Sequence, residues 1–103
     1  SLTTIPIPAA DLVAAKTGAL LFTFYHYDSP TTITYKINGN THVAAWPFPD
    51  TQGFTARTIS LPVPLTDLVM GVNQIQIFGE KGIVVSNVSI SLQGAGGIVA
   101  PKL

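Results

Sequence analysis

The chain contains no cysteine, which removes disulfides, thiolate metal sites and Cys–His nucleophilic chemistry together. Charge is nearly as scarce: 10% of residues are Asp, Glu, Lys or Arg, against about 25% in an average soluble domain. The five basic residues, Lys16, Lys36, Arg57, Lys81 and Lys102, stand singly, and five acidic ones bring the formal net charge to +0. Nucleic-acid binding draws on clustered Lys and Arg, as does docking on an anionic bilayer, so neither partner is expected. No apolar run reaches the roughly 20 residues of a membrane helix. The opening "SLTTIPIP" has no basic n-region, so the segment reads as a mature or excised piece of a longer polypeptide.

Helical periodicity is missing as well; only "ADLVAAK" at 10–16 suggests a single turn. What is present is alternation. In "GALLFTFYHY", Leu20, Phe22, Phe24 and His26 share one face, with Leu21, Thr23, Tyr25 and Tyr27 on the other. "TTITYKI" sets Ile33, Tyr35 and Ile37 against Thr32, Thr34 and Lys36, and Asn38-Gly39 then marks a tight hairpin. The return strand "THVAAW" is read with Val43 and Ala45 inward, which turns Trp46 outward. "FTARTISL", "VNQIQIF" and "IVVSNVSISL" alternate in the same way. The N-terminal "TTIPI" suits an edge strand, where proline is tolerated. With 103 residues there is material for one modest core. The expected fold is all-β, an antiparallel β-sandwich of jelly-roll type with about eight strands, over residues 1–93. Residues 94–103, with Gly94, Gly96 and Gly97, read as a Gly-rich C-terminal linker or tail.

In "LPVPLTDLVMGVNQIQIFG", Leu65, Asp67, Leu68, Gly71, Asn73, Ile75 and Ile77 form an apolar turn leading into a core strand. This pattern resembles galactose-binding-domain-like β-jelly-rolls, and "YKINGN", through Ile37, Asn38 and Gly39, is similar to the strand and turn carrying their V-N-G. The resemblance covers a third to half of the chain. It implies a relative of carbohydrate-binding modules, extracellular or secreted and joined to other domains, often with a structural calcium. No ligand-contacting residue is carried over by motif, and no Asp-rich loop marks a calcium site here.

Strand direction adds a local argument. If successive strands run antiparallel, the turns at 26–31, 46–53 and 79–82 fall at one pole. That pole gathers His26, Tyr27, Asp28, Trp46, Phe48, Asp50, Gln52, Glu80 and Lys81, whereas the other holds little beyond Asn38, Asn40 and Asp67. A pyranose presents an apolar C–H face that stacks on an aromatic ring and hydroxyls that directional polar groups can read. The expected ligand is therefore a neutral polysaccharide or glycan, bound by Trp46, Tyr27, His26, Asp28, Phe48, Asp50, Gln52 and Arg57. Pro47 and Pro49 would lower the ordering cost of such a loop.

Each residue also has an ordinary role. Trp46 can cap the core, Asp28 and Asp50 suit self-bonded turns, and His26 shares parity with Phe22 and Phe24. Arg57 has the parity of Ile59 and Leu61, a conflict that a bulge would remove. Asn87-Val88-Ser89 is a formal glycosylation sequon. No nucleophile-elbow pattern is present and no carboxylate pair has a context that raises a pKa, so a non-catalytic domain without a cofactor is expected. The competing expectation is a structural, oligomerisation or adhesion module of a larger extracellular, fibre or capsid assembly. Low charge and many Thr, Ser, Gln and Asn residues suit it equally.

Overall fold

A computed structural model describes residues 2–26, 32–46, 56–79, 83–94 and 97–99. The alternating segments form strands β1 (Leu2–Ile7), β2 (Thr17–His26), β3 (Thr32–Ile37), β4 (Asn40–Ala45), β5 (Ala56–Val63), β6 (Gly71–Gly79), β7 (Ile83–Gln93) and β8 (Gly97–Val99). Seven have six residues or more, and β8 is a three-residue ribbon. A short helix, α1 (Ala9–Ala14), and a 3-10 turn at Leu65–Asp67 complete the described elements.

The strands make two antiparallel sheets, ordered β1-β6-β3-β4 and β5-β2-β7-β8. Among the described strands, β3–β4 and β7–β8 are consecutive within one sheet, and the other consecutive pairs belong to opposite sheets. The all-β sandwich expected from alternation is therefore the fold. Its core takes Phe22, Phe24, Ile33, Ile37, Ile75 and Ile90 from inward positions of both sheets, and each such burial stabilises by about 1.5–3 kcal/mol. Phe22 and Phe24 meet edge to face with centroids 6.2 Å apart.

The expected phase fails along β4. Val43 is 65% exposed and Ala45 is exposed, while Ala44 packs against the core. The cause is the hairpin. A two-residue turn pairs Ile37 with Asn40, so Tyr35 faces His42 and Ile33 faces Ala44. Cross-strand partners share a face, and the buried side of β3 thus fixes His42 and Ala44 as inward. Arg57 keeps its inward parity with no break in the β2–β5 register, where it pairs with Phe24. The bulge lies in β7 instead, between the pairs Leu21–Ser89 and Thr23–Ser86. Asn87 there adopts φ 54, a left-handed conformation that asparagine tolerates better than most residues. Finally, residues 97–99, within the segment read as a tail, form β8 on β7, with Ile90 opposite Val99. Gly94 makes the approach to β8 with φ 96. A Cβ there would lie 3.0 Å from the Ala14 carbonyl oxygen, so glycine is required twice over.

Candidate functional site

The strand ends flanking 27–31, 47–55 and 80–82 do lie at one pole. Tyr25 pairs with Ala56 and Val84, and His26 with Ile83, in one sheet. Thr32 pairs with Ala45, and Ile33 with Gly79, in the other. Of the expected ligand-binding residues, Tyr27, Asp28, Phe48, Asp50 and Gln52 fall outside the described residues. His26 is placed by its backbone at the end of β2. Arg57 is half-buried on the inner side of β5.

Trp46 sits at the mouth of the sandwich, half-buried and packed against the core. Its ring centroid is 5.5 Å from that of Phe24, with planes tilted by 53°. The outward Trp46 expected from the phase of β4 is corrected by this placement. His42 and Ala44 face inward, and Trp46, two residues on, follows them. The indole joins the two sheets at their open end, a capping role.

Beside this pole lies a surface with a different character. On the outer side of the second sheet, Tyr25 stands between Ala56 and Val84. The next rows are Thr58–Thr23–Ser86 and Ser60–Leu21–Ser89. None of these outward residues is charged. Tyr25 and Leu21 are half-buried, and Thr58, Ser60, Ser86 and Val84 are exposed. Asn87 adds its amide at the bulge, donating to the Thr23 hydroxyl at 3.4 Å.

The opposite pole, which the sequence left nearly empty, carries a dense polar network. Asn73 is fully buried. Its Nδ2 donates to the carbonyls of Val69 at 2.9 Å, Gly71 at 3.1 Å and Ile5 at 3.3 Å. Its Oδ1 accepts from the Val69 amide and from Asn38 Nδ2, both at 2.8 Å. Asn38 Nδ2 also donates to the Asp67 carbonyl at 2.8 Å, and its Oδ1 accepts from the Gln74 amide at 2.8 Å. Asn38 lies at φ 50. The residues of the motif thus tie the β3–β4 hairpin to the 3-10 turn and to β6.

Next to that network, His42 Nε2 donates to Asp67 Oδ2 at 2.6 Å. The Tyr35 ring lies 5.2 Å from the imidazole. Its hydroxyl donates to the Pro62 carbonyl at 2.8 Å, crossing from one sheet to the other. Burial pushes the Tyr35 phenol above its ordinary value of 10.0, and the neighbouring Asp67 carboxylate adds to the rise. Tyr35 and His42, with Pro62, Pro64, Leu65 and Lys16, line a cleft of about 410 Å³.

His42 is the residue that sequence reasoning passed over. The signal was available, because counting back across Asn38-Gly39 aligns His42 with buried Tyr35. Chemically the cleft is quiet: the phenol is engaged and held protonated, and the imidazole is engaged by a carboxylate. Among the described residues no group of three or more His, Asp or Glu could hold a metal ion.

No family model, curated protein or solved structure matches this chain. The likeness to galactose-binding-like domains therefore rests on the motif residues alone.

Proposed function

We propose that this domain is a non-catalytic carbohydrate-binding module that takes a neutral glycan on the outer face of β5-β2-β7, centred on Tyr25. One observation carries the reading. Around a half-exposed phenol ring, three adjacent strands present rows of Ser and Thr hydroxyls and no charge. An aromatic ring supplies the stacking surface for a pyranose, and hydroxyls exchange hydrogen bonds with its hydroxyls at no cost in charge desolvation. The +0 net charge fits a neutral ligand. Tyr25 lies one residue from the end of β2, at the pole where the strand ends of His26 and Ala56 meet; Tyr27, Asp28, Phe48, Asp50 and Gln52 lie outside the described residues and form no part of this proposal. An extracellular setting and attachment to further domains go with this reading. A structural calcium stays an implication of the resemblance and is not part of the proposal.

The test is a glycan array probed with the wild type, Tyr25→Ala and Trp46→Ala. Tyr25→Ala should lower retention of the bound glycan by about tenfold or more, the loss of one stacked ring. Trp46→Ala should keep retention while destabilising the fold by about 1–3 kcal/mol, less than a fully buried indole would. Equal retention by the wild type and Tyr25→Ala would reject the face, and no retention of any neutral glycan would reject the function.

The competing reading, a structural or oligomerisation module, is favoured by β4, which ends its sheet and carries no proline, Lys, Arg, Asp or Glu.

A further inference from the structure

The described strands leave four sheet edges, β1 and β4 in one sheet and β5 and β8 in the other. Edges expose unpaired N–H and C=O groups, and proteins blunt them with proline, charge, shortness or cover. Three of the four are blunted. β1 carries Pro6. β5 carries Arg57 and Pro62, and the Pro62 carbonyl already accepts the Tyr35 hydroxyl. β8 is three residues long. β4, Asn40–Ala45, has six residues without proline, Lys, Arg, Asp or Glu.

Hydrogen-bond phase decides which groups of β4 are open. The amide of Asn38 donates to the Gln74 carbonyl at 2.9 Å, so alternate positions Lys36 and Thr34 also turn toward β6. Ile37, Tyr35 and Ile33 then turn toward β4, onto Asn40, His42 and Ala44. The backbone groups of Thr41, Val43 and Ala45 are left pointing away from the sheet.

We propose that two copies of this chain join through β4, antiparallel about a two-fold axis at Val43, into one continuous eight-stranded sheet. The register is self-complementary. Val43 faces Val43 of the second copy and Thr41 faces its Ala45, all in hydrogen-bonding phase, which makes about six new backbone bonds. Inward, His42 faces Ala44 of the second copy. No like charges are opposed anywhere along the seam. The occupant is a second copy because the strand satisfies its own requirements, and because no other described edge offers a free run to a head-to-tail neighbour. An isologous contact closes at two subunits instead of growing into a fibre. On the outer face, Phe78, Thr34 and Val43 form one row across β6, β3 and β4. Phe78 and Val43 are 39% and 65% exposed, and pairing extends that apolar row across the axis. This inference is independent of the glycan reading, although a dimer would carry two copies of the proposed face and raise its avidity.

Sedimentation of the wild type over a concentration series tests it, alongside Val43→Lys and Val84→Lys. The wild type should approach twice 10.8 kDa. Val43→Lys sets two like charges directly opposite each other and should weaken the dimer by about tenfold or more. Its circular dichroism should be unchanged, because the side chain is solvent-facing. Val84→Lys, 52% exposed on the other sheet, should leave the mass unchanged. Amide exchange at Thr41, Val43 and Ala45 should slow with concentration, while His42 and Ala44 stay protected throughout. A wild type that remains monomeric, or a dimer indifferent to Val43→Lys, overturns the proposal. So does a protein that pairs only with a strand from another chain.

Discussion

Replacing Asn73 with alanine should be among the most damaging single changes in this protein, although it removes no apolar surface. The carboxamide is fully buried and serves five partners: three carbonyls, the Val69 amide and Asn38 Nδ2. A buried donor or acceptor left unsatisfied costs about 1–3 kcal/mol. Not all five are stranded by the substitution. Asn38 Nδ2 keeps the Asp67 carbonyl, and Val69, 47% exposed, admits water to part of its backbone. The expected loss is therefore about 2–4 kcal/mol, out of the roughly 5–15 kcal/mol typical of a small domain. At about 4–8 °C per kcal/mol this lowers Tm by roughly 10–30 °C. Asn73→Asp separates hydrogen bonding from volume, because it keeps the shape and the acceptor but aims a second oxygen at three carbonyls. It should lose at least as much as alanine. Urea denaturation followed by circular dichroism measures both. A loss below about 0.5 kcal/mol for either variant would refute the view that this network holds the pole together.

Two further outcomes follow from the same pole. Tyr35 titrates above 10.0 in the fold, raised mainly by burial and then by Asp67, so the unfolded chain releases the phenol proton first. Its contribution to stability is complete below about pH 10 and is lost as pH rises through the higher folded value. Denaturation midpoints between pH 9 and 11.5 should fall, and Tyr35→Phe should flatten the fall; an equal slope in both proteins would contradict the assignment. Gly94→Ala should destabilise by about 1–3 kcal/mol, since the new Cβ meets both an unfavourable φ and the Ala14 carbonyl oxygen. An unchanged thermal melt would show that the approach to β8 yields without strain.

Alternation along the chain determined the strands, the inward sides of β2, β3, β5, β6 and β7, and hence the sandwich, because burial of one face imposes a period of two. It also gathered the strand ends flanking 27–31, 47–55 and 80–82 at one pole, since antiparallel neighbours alternate their ends. The phase of β4 was legible too, but only by counting across the hairpin. Local hydrophobicity misled there, because Val43 is apolar yet lies on the outer face of an edge strand. Asn73 carried a faint sign of its role, a polar residue in phase with Ile75 and Ile77. What it bonds to could not be seen, as Ile5 lies 68 residues away. The Tyr35–His42–Asp67 contacts, the uncharged strand rows around Tyr25 and the edge of β4, unblunted among the described edges, belong to the tertiary structure alone. Each depends on which strands become neighbours across and between sheets, and that is decided by the joint burial of the whole core, which no single segment encodes.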